Sequence, residues 1–518
     1  MHLLHTDKLD TLRKLSDHLP SIKRGLEKES LRINSQGYIA QTPHPEALGA
    51  TLTNPHITTD YSEALPEFIT GATTDRMGPL VELTEIHQFT YKYLGDELLW
   101  AMSMPCVMGK EEDIPIARYG SSNSGKMKEV YRLGLGYRYG RFMQTIAGVH
   151  YNFSLPEDFW KALHKEEKSE LELQAFINEK YMGLIRNYLR YSWLIPLFFG
   201  ASPALCQSFI QSENIDLEEL VPGTRYGPYA TSLRMSDLGY QNNAQSGLSV
   251  SYNNLDDYIA GLESAISTPD PYYEEIGVQV HGEYRQLNAN VLQIENEFYS
   301  SIRPKRVTFS GERPSKALRN RGIEYIEVRA LDLNPFSPVG IENQQIAFID
   351  ALLLACLFAE SPAINPREKG EYQANFKTVV YKGRHPECRL SLNNRCVAMK
   401  EIASDLLKQI RPFSIQLDNV YRTSDHTDVL DKLEGQLDNL EHTLSGRIVA
   451  DIEARQDGFF PYAMELTRGH KEYFADNQMS EEKLVWYQKE AAKSIKDKLE
   501  IENSDNVSFE TFLSNYYD

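Results

Sequence analysis

Short extended segments with acidic residues at alternate positions lie among much longer helical segments in this chain. GLEKESLRI at residues 25–33 and GIEYIEVRALDL at residues 322–333 are two of these segments. The strands do not alternate regularly with helices, as a doubly wound parallel sheet would require. The sequence therefore predicts an α+β protein, and the polar faces of its strands are the features to follow.

Apolar residues at helical spacing predict most of the chain to be helical. The predicted helices span residues 6–19, 80–101, 126–144, 156–194 and 343–359, with a mostly helical last third. Further extended segments are predicted at residues 148–156 and 290–299, and a loop or linker at residues 361–370. Leucines 430, 433, 437, 440 and 444 fit a core-facing helix or a short coiled coil, and two heptads favour the former.

Charge and hydropathy exclude several classes of protein. The 518 residues carry 54 basic and 73 acidic side chains, a formal charge of −19, which argues against a nucleic-acid binder. The longest apolar run, residues 351–359, is far shorter than the roughly 20 residues of a membrane span. The first 20 residues lack a signal-peptide pattern, and the five cysteines form no CxxC motif. We therefore expect a cytoplasmic protein that binds no membrane.

The acidic pair Glu27 and Glu29 is the first candidate for chemistry. On a strand, residues two apart share a face and lie roughly 6.5–7 Å apart. Two carboxylates at this spacing can hold hard divalent cations, although a solvated strand face explains the pair equally well.

The segment GIEYIEVRALDL gives a sharper signal. Glu327 and Arg329 share one face with Tyr325, while apolar residues occupy the other face. Such an acid and arginine are either a structural ion pair or a metal ligand beside a phosphate-binding guanidinium.

Further polar residues occur on two other extended segments. His150 shares a face with Asn152, and Asp60 and Glu67 lie within TTDYSEALPEFIT. A single strand histidine is more often structural, but acids and a histidine on four segments fit metal-assisted phosphoryl chemistry.

The sequence GSSNSGKM at residues 120–127 approximates a P-loop, G-x-x-x-x-G-K-[ST]. Met127 replaces the hydroxyl residue that binds magnesium in that motif, and Pro115 interrupts the segment before it. We interpret these residues as a flexible loop over the active site or an ordinary helix start.

Long motifs resemble the bacterial type of glutamate–cysteine ligase, also called γ-glutamylcysteine synthetase. They are RGLEKESLRIN (24–34), HPEALGATLTNPHITTDYSEALPEFIT (44–70), QTIAGVHYNFSLP (144–156), FGASPA (199–204), PYATSLRMSDLGY (228–240), LQIENEFYSSIRPKR (292–306) and GIEYIEVRALDLNPFSP (322–338). The resemblance is close over residues 20–360 and looser beyond them.

This resemblance implies a glutamine-synthetase-like catalytic fold, with a curved antiparallel sheet lined by metal ligands and surrounded by helices. It implies a single catalytic domain over residues 1–518, with residues 397–518 as a mostly helical region packed on it. The implied magnesium-site residues are Glu27, Glu29, Asp60, Glu67, His150 and Glu327. The implied substrate-pocket residues are Tyr131, Arg132, Leu135, Gln144, Asn152, Arg234, Tyr240 and Tyr299, with Tyr131 and Leu135 near the cysteine side chain.

The implied reaction joins the γ-carboxyl of L-glutamate to the amine of L-cysteine, with ATP, as the first step of glutathione synthesis. A carboxylate is a poor acyl donor, so we expect ATP to convert it to a γ-glutamyl phosphate. Arg329 is then the residue on the transferred phosphoryl group, with Glu327 as its catalytic partner. Mg²⁺ is the expected cofactor, Mn²⁺ an alternative, glutathione the expected feedback inhibitor, and the enzyme a monomer.

Three rival functions remain at this point. A related ligase with another amine acceptor differs only in specificity. A bifunctional enzyme that also adds glycine needs a further ATP-binding domain, for which residues 397–518 are too short. A non-catalytic scaffold would have lost some of the acids. Cys388 and Cys396 could meet across a hairpin but are expected as free thiols, and Tyr372 stands where the family's regulatory disulfide needs a partner for Cys396.

Overall fold

A computed structural model of the chain describes residues 8–105, 107–211, 216–238, 248, 250–309 and 311–517. None of the helices in these residues combines the length and the hydrophobicity that crossing a bilayer requires.

A six-stranded antiparallel sheet lies at the centre of the fold. Its strands are β1 Lys23–Glu29, β2 Ile57–Thr59, β3 Pro66–Ile69, β4 Gly148–Ser154, β5 Ile302–Lys305 and β6 Tyr325–Asp332. They lie side by side in the order β5-β6-β4-β1-β3-β2. Smaller sheets pair the remaining strands: Arg32–Ile33 with Leu98–Leu99, Ala204–Cys206 with Thr224–Tyr226 and Glu218–Val221, Gln279–Val280 with Glu283–Tyr284, and Arg389–Leu392 with Arg395–Ala398.

Helices make up most of the rest of the described chain. Those up to residue 321 are α1 Leu9–Lys14, α2 Gly78–Tyr91, α3 Asn123–Tyr139, α4 Glu157–Glu166, α5 Leu173–Tyr191, α6 Leu194–Phe199, α7 Leu255–Ser267, α8 Pro271–Ile276 and α9 Pro314–Arg321. Those that follow are α10 Asn343–Phe358, α11 Pro366–Lys382, α12 Met399–Tyr421, α13 Asp425–Asp438, α14 Leu444–Arg455, α15 Phe459–Asp476, α16 Glu481–Ser504 and α17 Phe509–Tyr517.

Strand alternation gives the central sheet two chemically different faces. On β4, the fully buried Val149, Tyr151 and Phe153 point to one face, and His150 and Asn152 to the other. β1 and β6 alternate in the same way, so register brings the polar residues of the three strands together. We call the face with His150 the front face and the opposite one the back face.

The back face packs against the hydrophobic core. Helix α10 is buried along almost its whole length, and its single acid, Asp350, hydrogen-bonds to the sheet. Arg24 on β1 and Tyr151 on β4 both donate to this carboxylate. A helix that is apolar all round belongs in the interior, as its sequence predicted.

The structure confirms the strand at 148–156 but corrects several other boundaries. The segment 290–299 contains a 3₁₀ turn at Glu295–Glu297, and the strand lies further on, at Ile302–Lys305. The helix predicted over 156–194 is broken between Glu166 and Leu173, because Lys168 adopts a left-handed conformation there. The predicted helix 80–101 ends at Tyr91.

Two helical predictions in the second half of the chain also change. The linker proposed at 361–370 includes the start of α11, which begins at Pro366 with Asn365 as its cap. The leucine series does not form one helix, because α13 ends at Asp438 and α14 begins at Leu444. Leu430, Leu433 and Leu437 are buried in the core, so the coiled-coil alternative is wrong.

Candidate active site

Three adjacent strands bring two carboxylates and an imidazole together on the front face. Ligand atoms of Glu27, His150 and Glu327 all lie within 4.8 Å of one another. His150 Nδ1 lies 3.4 Å from Glu27 Oε2 and 3.7 Å from Glu327 Oε1. Among the residues that the structure describes, these three form a group whose ligand atoms lie close enough together to hold one metal ion.

Sheet register explains why these residues meet. Glu27 on β1 faces His150 on β4, and Glu327 on β6 faces Asn152 on the other side of β4. Asn152 Nδ2 donates a hydrogen bond to Glu27 Oε1 at 2.7 Å, so it fixes the rotamer of that carboxylate. The central strand thus supplies the polar residues that bridge its two acidic neighbours.

The acidic cluster extends toward the sheet edge through Glu29, Glu67 and Asp60. Glu29 directly faces Glu67 across β1 and β3. Glu29 Oε1 lies 3.7 Å from His150 Nε2, and its other oxygen accepts a hydrogen bond from the Gly148 backbone at 2.7 Å. Asp60 follows β2 directly. The six residues predicted as the magnesium site therefore lie on one face or at its edge.

Burial and mutual repulsion shift the acidities of this cluster. Burial, with the charges of Glu27, Asp60 and Glu29, raises the pKa of Glu67 well above its ordinary value. Burial and Asp60 likewise raise the pKa of Glu29. Burial also opposes ionisation of Glu327, but Lys305, Arg329 and His150 lower its pKa overall. One end of the cluster is therefore held ionised, whereas at the other end burial and repulsion between carboxylates outweigh the nearby positive charges.

Basic side chains lie at the ionised end. Lys305 Nζ is 3.5 Å and Arg329 Nη1 is 3.3 Å from Glu327 Oε2. Arg303 on β5 faces Glu327 in register and is also buried. Glu327 therefore has basic side chains on one side and the acidic cluster on the other.

Two buried oxygens of this cluster accept no hydrogen bond within the described residues. They are Glu327 Oε2 and Asn152 Oδ1. Glu327 Oε2 already lies within ion-pair distance of Lys305 and Arg329. Asn152 Oδ1 is therefore the buried oxygen that points to a missing cation or ligand, because buried oxygens normally have a partner. Carboxylate and amide oxygens with one imidazole are a donor set that suits Mg²⁺ or Mn²⁺. The residues present therefore fit a divalent cation.

A cavity of about 510 Å³ borders the cluster at Asp60 and Arg329. Five predicted substrate-pocket residues line it: Tyr131, Arg132, Leu135, Gln144 and Tyr299. Helix α3 supplies the first three of these, and helix α11 lines another part of the wall. The cavity is large enough for small-molecule substrates.

Two of the other predicted pocket residues, Asn152 and Arg234, do not line this cavity. Asn152 sits among the carboxylates, not on the cavity wall. Arg234 is buried beside the cavity, where its Nη2 donates to the Arg329 carbonyl at 3.2 Å. Arg234 also packs against Gly148, where a Cβ atom would lie 2.0 Å from Nη2. Tyr240 lies outside the described residues.

Arg132 is held rigidly by backbone acceptors. Its Nη1 donates to the Lys128 carbonyl at 2.9 Å and its Nη2 to the Thr59 carbonyl at 3.3 Å, and its Nε donates to the Asp60 carbonyl. Its guanidinium also lies 4.6 Å from the ring centroid of Tyr119. These contacts join helix α3 to the turn after β2, and they connect the cavity wall to the acidic edge.

Sequence reasoning missed several residues of the site. Lys305 and Arg303 lie on β5, at Ile302–Lys305, whereas the sequence predicts the extended segment at residues 290–299. The alternation of basic residues in IRPKR could have revealed that they share a face. Tyr61, Tyr139 and Glu297 also line the cavity, but loop and helix packing place them, and no periodicity marks them.

Two other sequence interpretations can be settled. GSSNSGKM is the start of helix α3, capped by Ser122, and Glu502 accepts from the Ser121 backbone at 2.7 Å. An acid occupies this helix terminus, so the helix-start interpretation is confirmed.

The cysteine pair lies at one hairpin: Cys396 is in its second strand, and Cys388 directly precedes its first strand. Both cysteines are free thiols. Tyr372 lines the cavity.

Comparison with known proteins adds independent findings. A family model described as "Glutamate-cysteine ligase" matches residues 9–379. A glutamate–cysteine ligase of Alcanivorax borkumensis is 49% identical over 504 residues, covering 96% of each chain. One of Pseudomonas putida KT2440 is 48% identical over 508 residues, covering 98% of this chain and 97% of the relative.

Solved structures resemble the fold as well. The crystal structure of glutamate–cysteine ligase from Francisella tularensis in complex with AMP has a TM-score of 0.89 and 34% identity, covering 96% of this chain and 97% of that one. A bifunctional glutathione synthetase from Pasteurella multocida shares the fold, with a TM-score of 0.73 and 24% identity. This chain covers 55% of the bifunctional protein.

Proposed function

Because the chain belongs to the glutamate–cysteine ligase family, we propose that the front face and its cavity carry out this family's reaction. The activity is ATP-dependent joining of the L-glutamate γ-carboxyl to the L-cysteine amine, the first step of glutathione synthesis. The observation that carries the assignment to this site is the acidic cluster of Glu27, His150 and Glu327 beside the cavity.

We propose that the reaction begins with the γ-carboxylate of glutamate. One of its oxygens attacks the γ-phosphorus of ATP, the bond to ADP breaks, and a γ-glutamyl phosphate forms. Arg329 neutralises charge on the transferring group from its position beside Glu327, with Arg303 nearby. The ionised Glu327 in turn orients the Arg329 guanidinium.

The second half-reaction needs positioning more than side-chain chemistry. The cysteine amine attacks the acyl carbon, the C–O bond to phosphate breaks, and the amine passes a proton to the departing phosphate as the amide forms. Tyr131 and Leu135 are proposed to hold the cysteine side chain against helix α3. The remaining proposed pocket residues are Arg132, Gln144, Arg234, Tyr240 and Tyr299. Asn152 is proposed to position Glu27 through its hydrogen bond to that carboxylate.

The residues proposed to hold Mg²⁺, or Mn²⁺, are Glu27, Glu29, Asp60, Glu67, His150 and Glu327. When bound, such a cation offsets charge on the ATP phosphates and on the transferred group. Within the chain itself, Asn152 and the Gly148 backbone hold two of the carboxylates in place. We propose that the catalytic fold is of the glutamine-synthetase type.

Other aspects of the proposal concern the cell. The four cysteines that the structure describes are free thiols, which supports a reducing compartment, and we propose the cytoplasm. We also propose that glutathione inhibits the enzyme, because glutathione carries the same γ-glutamyl group as the product. We further propose that the enzyme is a monomer.

One coupled assay of ADP release tests the function. We expect glutamate and ATP with L-cysteine to give sustained ADP release that stops when cysteine is omitted. A panel of other amines tests acceptor choice. Faster turnover with a different amine would reassign the acceptor, and no amine-dependent release would contradict the ligase assignment.

A further inference from the structure

Helix α17 packs on the outer side of helix α3, whose other side lines the cavity. Phe509 and Leu513 are buried in a small cluster with Val130, separate from the main core, and Tyr131 packs against this cluster. Lys126 lies over the Phe509 ring, with Nζ 4.5 Å from the centroid. The ring of Tyr131 therefore contacts both the α17 cluster and the cavity.

Hydrogen bonds connect the same helix to the same wall. Tyr517 donates its hydroxyl to the Gln293 carbonyl at 2.7 Å and accepts from Asn288 Nδ2 at 2.8 Å. The side chain of Gln293 donates through Nε2 to the Tyr131 carbonyl at 3.1 Å. Two contacts thus separate the Tyr517 hydroxyl from a residue that lines the cavity.

Gln293 is fixed tightly between these partners. Its backbone donates to Glu297 Oε2 at 2.6 Å, and Glu297 itself lines the cavity. A Cβ atom on Gly134 would lie only 2.1 Å from Gln293 Oε1, so helix α3 touches the amide directly. A shift of Gln293 must therefore move the α3 wall or the Glu297 side chain.

We propose that α17 is a positioning element for the acceptor amino acid, with Tyr517 and Phe509 holding the Tyr131 wall of the cavity in place. Neither residue touches the cavity, so each acts through Gln293 or Tyr131. The inference rests on the proposed function, which assigns Tyr131 to the cysteine side chain. It adds a remote segment of the chain to the determinants of cysteine binding.

The test compares Tyr517→Phe with the wild-type enzyme and with Tyr38→Phe, a hydroxyl deletion at an exposed tyrosine. KM is measured separately for cysteine, glutamate and ATP, together with the thermal midpoint. We expect Tyr517→Phe to raise the cysteine KM about three- to tenfold, the factor that losing one neutral hydrogen bond produces. The ATP KM should stay within about twofold, and Tyr38→Phe should match the wild type in every KM.

Phe509→Leu tests the apolar contact independently and should raise the cysteine KM in the same selective way. If Phe509→Leu does not fold, the Tyr517→Phe result decides. An unchanged cysteine KM, or an equal rise in all three KM values, would overturn the inference while wild-type turnover with cysteine stands. Loss of cysteine dependence in the wild type would instead overturn the proposed function.

Discussion

A buried ion pair on the back face and the acidic cluster on the front face treat buried charge in opposite ways. On the back face, Arg24 Nε donates to Asp350 Oδ2 at 2.7 Å, and Tyr151 donates to the other oxygen at 2.5 Å. Burial opposes the charge on Arg24, yet Asp350 and two tyrosines raise its pKa overall. Both side chains of the ion pair are fully buried.

The front face gathers more carboxylates than its basic side chains match. Glu29 faces Glu67, and the pKa of Glu67 rises because burial and neighbouring acids oppose its ionisation. A matched pair needs nothing further and serves the fold, whereas buried carboxylates without enough counter-charge favour protonation or the binding of a cation. The comparison separates structural charges from binding charges on the same strands.

The largest expected effect is on the back face. Asp350→Asn leaves the buried Arg24 without a counter-charge and should lower the free energy of unfolding by about 3–5 kcal/mol. Urea denaturation measures this loss. Asp10→Asn removes an exposed ion pair with Arg13 and should change the same quantity by less than about 1 kcal/mol. Equal effects of the two variants would mean that the back-face pair is not structural.

Arg329→Ala tests the front face by kinetics. We expect turnover to fall by two to three decades, equivalent to about 3–4 kcal/mol, because a charge contact in the transition state is lost. Arg329→Lys should also be slow, since a single ammonium cannot replace the planar fork. The thermal midpoint of both variants should stay close to wild type. Near wild-type turnover of the lysine variant would make Arg329 a structural residue.

Adding Mg²⁺ to metal-free enzyme should raise the thermal midpoint. At a concentration about 100 times Kd, one bound cation contributes about 2.7 kcal/mol. Glu27→Gln should reduce this gain, because it removes a charge from the group with metal-ligand spacing. An unchanged midpoint of the wild type on titration with Mg²⁺ and Mn²⁺ would contradict a metal site on the front face.

The smallest expected effect comes from Glu67→Gln. Removing one of two like charges that face each other should stabilise the metal-free protein by about 0.2–1 kcal/mol. The same change should weaken the gain from Mg²⁺, so the two effects have opposite signs. A loss of stability in metal-free Glu67→Gln would show that the carboxylates do not repel each other.

The sequence predicted the sheet best where alternation was clear. The polar positions of β1, β4 and β6 were assigned to their correct faces from Glu27, His150 and Glu327, because period-two alternation is local. The strand was misplaced because residues 290–299 are predicted as extended, whereas Glu295–Glu297 forms a 3₁₀ turn. Only the register with β6 identifies Ile302–Lys305 as a strand. Pairing partners are long-range and leave no local pattern.

The cavity was harder to derive from residues alone. Motif resemblance pointed to Tyr131, Arg132 and Leu135, and helix α3 places all three on one wall. Glu297 and Tyr139 come from packing between helix α3 and an irregular segment, so spacing could not identify them. Likewise, Tyr517 lies more than 200 positions from Gln293 in sequence, and only the fold joins them.

Oxygen transfer from substrate to phosphate tests the central claim most directly. If the front face activates glutamate as a γ-glutamyl phosphate, one oxygen of the γ-carboxylate must leave with the phosphate. Glutamate labelled with heavy oxygen at the γ-carboxyl should therefore yield singly labelled inorganic phosphate in the presence of ATP and cysteine. Mass spectrometry of the released phosphate measures it. Unlabelled phosphate from labelled glutamate during normal product formation would contradict the account and would favour a phosphorylated side chain, with His150 the first to examine.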